Sequence, residues 1–455
     1  MTNCEKLYQY LKKNFHYQKN VDERLREEIS SLGKVSIFYI SSLVSMEGMV
    51  DLINSFSSLT YEDGELNNLC SCVIENTSTL NNTLNAIYEG NAILIFHDID
   101  KSVICDVKMY PSRSVSNPEV EKSVRGSKDS FTENLIINIG LIRRRIKSEN
   151  LMIENFQLSK ESKMSVCLFY LKDSIDKEIV NELKSKLKKI ELKSLIMSER
   201  ALEETLFNQT KHIVPLVKYT ERPDVASINI VKGKMVIIVD TSSNAIITPV
   251  SIFDLLKNVE EYKQNPIVGT FTKVLRLIGT FISVFLVPLF LHLAINNNFD
   301  NGVIPLINLD KSNSPLLIQV MVITTLLEII KIAVVHTPSA LISSISLLAA
   351  ILLGQVSIDI GLFSAEILLV CSIASICNFA SPNYELSLTN RMLSLVLVIM
   401  TVLFKEIGFI LTLLVTFLYI VNITTYKLPY LYPIIPFDEK TFFSLFYREK
   451  NKKIK

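Results

Sequence analysis

Hydrophobic positions are spread very unevenly along this chain of 455 residues. Residues 1–260 mix apolar and charged positions in short patterned runs, residues 274–423 are mostly apolar, and 425–455 turn basic again. That division predicts a soluble head, a membrane block and a short tail. Within the head, the runs 92–96 and 235–239 are continuously apolar, as strands buried on both faces are. Each belongs to a longer stretch that repeats: IYEGNAILIFHDIDKSVICDV (87–107) aligns without a gap on IVKGKMVIIVDTSSNAIITPV (230–250). A second pair, VSIFYISSLVSMEGMVDLI (35–53) and VCLFYLKDSIDKEIVNEL (166–183), reads as a strand passing through a turn into a helix. The expected fold is an α/β soluble N-terminal head made of two related subdomains, followed by an all-α polytopic membrane domain. The expected boundaries are an N-terminal helical segment at 1–30, subdomains at 31–115 and 151–255 with an arginine-rich linker helix at 116–150 between them, transmembrane helices over 270–425 and a basic tail at 426–455.

The membrane block reads as apolar segments at 274–295, 316–335, 339–353, 362–380 and 391–423. The last is cut by Lys405-Glu406 and fits two short helices or a re-entrant pair, so four to six crossings are expected. Lys257, Lys263, Lys273 and Arg276 precede the first span, and Lys427, Lys440, Arg448, Lys450, Lys452, Lys453 and Lys455 fill the tail. The loop 296–314 holds one Lys and no Arg. The positive-inside rule then places both ends in the cytoplasm and requires an even number of crossings. No apolar core of a cleavable signal follows the basic residues of MTNCEKLYQYLKKNFHYQKN, which also keeps the head cytoplasmic. Ser346, Ala350 and Gly354 recur every four residues, a spacing that predicts close packing of this helix against protein.

Charged residues inside the apolar runs carry the most information, because each costs about 2.5–3.5 kcal/mol at a helix centre. Thr324, Glu328 and Lys331 share one helix face, with Glu328 and Lys331 three apart and able to pair; Glu366, Lys405 and Glu406 add further ionisable groups. One reading is a salt bridge that locks helices; the other puts Glu328, with Glu366, on a water-filled ion path or subunit interface.

The net charge is only +1, which makes VRGSKDSFTENLIINIGLIRRRIK (124–147) conspicuous. Ser130 and Glu133 have capping-box spacing, and Leu135, Ile139, Ile142 and Ile146 recur at helical intervals. Either this is an amphipathic linker helix with a solvated basic end, or Arg113, Arg125, Arg143, Arg144 and Arg145 clamp carboxylates of a neighbouring subdomain or partner. The cluster has no aromatic stacking platform, which excludes a nucleic-acid partner. The seven cysteines show no paired framework and suit a reducing compartment; Cys70-Ser71-Cys72 lacks the second pair a metal knuckle needs. The five histidines are scattered, and no phosphate loop or nucleophile elbow is present, so neither an enzyme nor a cofactor or metal is expected. Asp98 and Asp100 beside His97 fall in a hairpin turn whose repeat is Thr241-Ser242-Ser243. A self-contained transporter would show inverted repeats in its membrane block, whereas the repeat here lies in the head.

SRSVSNPEVEKSVRGSKDSFTENLIINIGLIRRRIKSENL (112–151) resembles the signature of the GerA family, the A subunits of spore germination receptors. The matching positions are Pro111-Ser112-Arg113, Arg125-Gly126, Phe131-Thr132-Glu133, Asn138 and 141–147; TERPDVA (220–226), VIIVD (236–240), ITPVSIFD (247–254) and LPYLYPIIPF (428–437) extend the likeness. Ser112 replaces the usual threonine and Ser127 the usual proline, leaving open a nutrient-receptor A subunit or a paralogue within the family. The resemblance implies a multi-pass protein of the spore inner membrane that forms homo-oligomers. It also implies a permease-like B subunit and a lipoprotein C subunit as partners, and a role in cation release.

Overall fold

The computed structural model describes the chain except for residues 1–2, 63–64, 68, 70–72, 77–79, 111–120, 122–125, 160–162, 191–197, 208, 296–314, 338 and 448–455. It divides into two compact units, Met1–Lys211 with Val217–Pro249, and His212–Leu216 with Val250–Lys455.

The first unit opens with helix α1 (Asn3–Asn14), strands β1 (Glu23–Ser30) and β2 (Gly33–Ile40), and α2 (Met46–Asn54). A small hairpin of β3 (Thr60–Glu62) and β4 (Glu65–Asn67) precedes β5 (Val73–Asn76), α3 (Leu80–Tyr88), β6 (Ala92–Phe96) and β7 (Lys101–Cys105). After α4 (Leu135–Arg143) the pattern recurs as β8 (Leu151–Leu158), β9 (Met164–Leu171), α5 (Lys177–Lys188), α6 (Ser198–Phe207), β10 (Lys218–Thr220), α7 (Pro223–Val231), β11 (Met235–Val239) and β12 (Ala245–Thr248). The first sheet has the order β1-β2-β6-β7-β5 and the second β8-β9-β11-β12-β10, all antiparallel, so strand for strand they match. Even the register follows the sequence repeat: Ala92 faces Cys105 as Met235 faces Thr248.

Helices cover both faces of the first sheet, which is why its central strand β6 is apolar at every position. Leu7, Leu11, Phe15, Leu84 and Ile87 pack on one side with Ile93 and Ile95. Met49, Leu52 and Phe56 pack on the other with Leu94 and Phe96. The repeat also keeps a glycine for one steric reason. Gly90 and Gly233 have φ of +96° and +81°, and a Cβ there would lie 3.0 Å from the Leu43 carbonyl oxygen and 2.4 Å from that of Ser174. Leu43 and Ser174 occupy equivalent places just after β2 and β9.

Two local expectations differ. The segment 1–30 is helical only to Asn14, and β1 takes its last eight residues as an edge strand. Helix α4 is capped by Asn134 rather than by a Ser130–Glu133 box: the Asn134 side chain accepts the amides of Ile136 and Ile137 at 2.9 and 3.3 Å. The residues before it are held elsewhere, since Asn138 exchanges two hydrogen bonds with the Thr132 backbone at 2.8 and 2.6 Å.

The second unit begins with short helices α8 (Ile252–Leu255) and α9 (Val259–Lys263), then α10 (Pro266–Ile295) and α11 (Leu316–His336). Next, α12 (Ser339–Ala350) runs through a π-helical turn (Ile351–Val356) into α13 (Ser357–Asp359), followed by α14 (Ala365–Phe379) and α15 (Tyr384–Val421). A two-residue-per-strand hairpin, β13 (Thr424–Thr425) with β14 (Leu428–Pro429), leads to α16 (Glu439–Phe446). Four helical stretches are long and apolar enough to cross a membrane, Pro266–Ile295, Leu316–Val334, Leu341–Asp359 and Tyr384–Val421.

The last of these is folded back on itself. Lys405 breaks the helix with φ 52° and ψ −132°. Thr389 donates to the Ile213 carbonyl at 3.0 Å, and the Ile213 amide donates to the Tyr419 hydroxyl at 3.0 Å. A straight helix would hold positions 389 and 419 about 45 Å apart. The arms 384–404 and 406–421 therefore run antiparallel, and Gly408 makes the bend possible: a Cβ there would sit 2.0 Å from the Met400 carbonyl oxygen. Gln319 accepts the Ser364 amide at 2.9 Å near the starts of α11 and α14, so those helices run in parallel. Gly279 of α10 meets Cys377 and Ala380 at the end of α14, while Leu291 clusters with Ile367 near its start, which makes α10 antiparallel to α14. Among the described residues the bundle thus consists of six alternating segments.

The stripe of Ser346, Ala350 and Gly354 does not pack as expected. Ser346 and Ala350 are exposed and a Cβ on Gly354 would meet nothing within 4 Å. Small residues permit close approach, but among the described residues no other helix fills the space.

Candidate functional site

The head's two subdomains are joined through an arginine. α4 buries Leu135, Ile139, Leu141 and Ile142, and its last residue, Arg143, is fully enclosed. Arg143 Nε lies 3.4 Å from Asp22 Oδ2, Nη2 donates to Glu23 Oε1 at 3.2 Å, and Nη1 donates to the Ser148 carbonyl at 3.1 Å. The Tyr88 ring lies against the guanidinium at 5.4 Å. Asp22 and Glu23 stand at the start of β1, so a cation at the end of the linker helix grips carboxylates at the edge of the first sheet. The surplus negative charge meets further donors. Asp22 receives the Ser42 amide and both the Ser41 and Ser42 hydroxyls at 2.9–3.1 Å, and Glu23 receives the His16 amide at 2.6 Å and Asn20 at 2.9 Å. Asn20 also donates to the Leu151 carbonyl at 3.0 Å, and the Val21 amide to Ile153, which stitches the linker before β1 to β8. Burial pushes the Glu23 carboxyl up to about 6, against the downward pull of Arg143 and the His16 amide.

The neighbouring arginines act differently. Arg144 is exposed over the Tyr110 ring at 5.1 Å. Arg145 pairs locally with Asp129 and donates to Ser127 Oγ at 2.9 Å. Arg113 and Arg125 lie outside the described residues. A buried arginine that the motif reading passed over, Arg222, makes a bidentate pair with Asp224 at 3.0 and 2.8 Å. It also donates to the carbonyls of Glu121 and Ser127 at 3.1 and 2.7 Å, fixing the segment that leads into α4. Its cue was the TERPD sequence, in which an arginine precedes a helix-starting proline and an acid two residues on.

A second charge cluster lies inside the bundle. Lys331 Nζ stands 3.4 Å from Glu328 Oε1, the intrahelical pair expected from their spacing. It also donates to Ser387 Oγ at 3.1 Å and sits over the rings of Phe379 and Tyr384 at 5.5 and 5.1 Å. Arg391, from the first arm of α15, approaches Glu328 Oε2 at 3.8 Å and donates to Ser375 Oγ at 2.9 Å and the Thr324 carbonyl at 3.4 Å. Three helices, α11, α14 and α15, thus meet at one polar point. The Thr324 hydroxyl is turned to its own helix, donating to Val320 at 2.7 Å. Glu366 lies elsewhere: it is half-buried in the first turn of α14, nine residues before Ser375 and so about 13 Å along the helix. The sequence reading missed Arg391 because it borders the apolar run. Its neighbours Ser387 and Ser394, at helical spacing on the same face, were the available sign.

The model of the Bacillus/Clostridium GerA spore germination protein family matches residues 9–455. This chain belongs to the GerA family. Stage V sporulation protein AF of Bacillus subtilis (strain 168) is 33% identical over 424 residues, 91% of this chain and 86% of that protein. Spore germination protein XA of Bacillus anthracis is 28% identical over 359 residues, 78% of this chain and 73% of that one. The N-terminal domain of the A subunit of the Bacillus megaterium spore germinant receptor GerK3 matches 55% of this chain and 94% of that one, at 22% identity and a TM-score of 0.39. This GerA-family chain is therefore a germination-receptor A subunit or a paralogue of the stage V AF type, carrying a sheet-containing head and a helical membrane part. In this GerA chain Asp98 and Asp100 serve as turn acceptors, for the Lys34 and Cys4 amides at 3.0 and 3.1 Å. Burial pushes the Cys4 and Cys167 thiols up to about 11 and about 12, so they rest protonated within the head.

Proposed function

We propose that this protein is an oligomeric subunit of a spore inner-membrane assembly whose opening releases monovalent cations at the start of germination, with both termini in the cytoplasm. A permease-like B subunit and a lipoprotein C subunit are its partners in this reading. The observation that carries it is the family match over residues 9–455. Supporting it are six alternating helical segments, which return the chain to the side it entered from, and the basic residues flanking both ends. The head acts as a rigid coupling platform, in which Arg143 makes the two subdomains move as one. In the bundle, Glu328 with Lys331 and Arg391 ties α11, α14 and α15 in one arrangement, and gating works against that tie.

The identity pattern favours the stage V AF branch over a nutrient receptor proper, since 33% identity over 91% of the chain exceeds the 28% over 78% shared with germination protein XA. Complementation distinguishes the two. Expressed in Bacillus subtilis lacking stage V sporulation protein AF, the chain restores the rate of cation release during germination; in a strain lacking a receptor A subunit it does not. Rescue of the second strain alone would reverse the assignment, and rescue of neither would remove the proposed role.

A further inference from the structure

We propose that the three-helix charge cluster of the bundle is a binding site for one phosphodiester, supplied by an anionic, hydroxyl-bearing phospholipid headgroup. Charge balance is the first argument. Among the described residues, Arg391 and Lys331 have one carboxylate between them, Glu328, and their other partners are uncharged: Ser375, Ser387, the Thr324 carbonyl and the rings of Phe379 and Tyr384. One positive charge is therefore left over in a low-dielectric setting, where a lone charge is costly. A phosphodiester carries one negative charge and neutralises it, whereas a phosphate dianion would overshoot beside Glu328.

Unsatisfied polar atoms are the second argument. Arg391 is 5% exposed, and its Nε has only Glu328 Oε2 at 3.8 Å, beyond hydrogen-bonding distance. Asn378, also 5% exposed, spends its amide on the Ser387 carbonyl at 3.0 Å and leaves Oδ1 open, one turn from Ser375. Glu328 Oε1 has the Lys331 ammonium at 3.4 Å but no hydrogen bond. A guanidinium edge held only at 3.8 Å and the ammonium suit phosphate oxygens, and the open Asn378 Oδ1 suits a headgroup hydroxyl. Depth is the third. Lys331 is five residues from the end of α11, about 7.5 Å along the axis, within the reach of a snorkelling lysine. Beside the cluster, Ile329 and Ile332 of α11 are 53% and 44% exposed and provide an apolar wall for acyl chains.

The test uses the full chain in nanodiscs of phosphatidylcholine alone or with one quarter phosphatidylglycerol. Native mass spectrometry counts retained lipids, and thermal unfolding reports stabilisation. The expected result is selective retention of phosphatidylglycerol with a higher melting temperature. Lys331→Gln, which leaves one cation facing one acid, reduces that preference about fivefold, while Lys331→Arg preserves it and Lys405→Gln, at the bend of α15, leaves it unchanged. Equal melting temperatures in both lipids, an undiminished preference in Lys331→Gln, or the same stabilisation from inorganic phosphate in phosphatidylcholine discs would overturn the assignment.

Discussion

The head and the bundle each bury an arginine against acidic side chains, with opposite charge surpluses. In the head one cation, Arg143, faces two carboxylates, and in the bundle two cations, Lys331 and Arg391, face one. The head disposes of its extra negative charge on backbone amides and hydroxyls, which converge on Asp22 and Glu23 at hydrogen-bonding distance. Coil between strands offers such free amides, because its N–H groups are not committed to a ladder. Within the helices of the bundle most amides are spent along the helix axis, and helix carbonyls and hydroxyls answer a surplus cation only in part. A surplus anion can thus be absorbed by the fold in the head, while a surplus cation in the bundle calls for something from outside.

That contrast predicts unequal mutational costs. Arg143→Leu leaves two carboxylates buried without a counter-charge and should cost about 3–5 kcal/mol. Hydrogen exchange on the full chain would show it as lost protection in both β1 and β8, since both subdomains depend on the clamp. Combining it with Asp22→Asn and Glu23→Gln should recover most of the loss. Protection lost from one sheet alone would show that Arg143 does not couple the subdomains.

The smaller effect depends on pH. Glu23 is pushed up to about 6 from its ordinary 4.5, so the folded head holds this proton more tightly than the unfolded chain does. Its contribution to stability is complete below about pH 4.5 and is lost as the pH rises through 6, an effect of about 2 kcal/mol. Opening free energies at β1, measured by exchange across that range, should fall with rising pH in the wild type and run flat in Glu23→Gln. A rise instead would mean that Arg143 outweighs burial.

The smallest effect belongs to the bundle. Lys331→Gln removes the surplus cation and should change thermal stability in phosphatidylcholine by less than about 1 kcal/mol. Glu328→Gln should cost more, because it leaves Lys331 and Arg391 as like charges with no acid between them. Equal losses would end the comparison with the head.

The fold was legible where chemistry repeats along the chain. The ungapped match of 87–107 with 230–250 pointed to two related α/β subdomains, and the two sheets share one strand order, with Gly90 and Gly233 passing close to Leu43 and Ser174. The site was legible only in part. Spacing on one helix made the Glu328–Lys331 pair visible, and the crowding of arginines after α4 suggested a clamp. Nothing local singled out Asp22 and Glu23 among the charges around β1, or chose Arg143 over Arg144 and Arg145, because adjacent helix positions differ only in the direction they point. The same limit applied to Ser346, Ala350 and Gly354, whose spacing permits packing but cannot supply a neighbour.

Periodicity and hydropathy are properties of neighbours in the chain, and by themselves they determined a doubled α/β head, an apolar helical block and the intrahelical charge pair. Which charges meet is a property of distance in space. Only the folded chain decided that Arg143 reaches back about 120 residues to its carboxylates, that Arg391 joins Glu328, and that the longest helix turns back at Lys405, because a buried charge is stabilised by whatever the tertiary fold brings within a few ångströms of it.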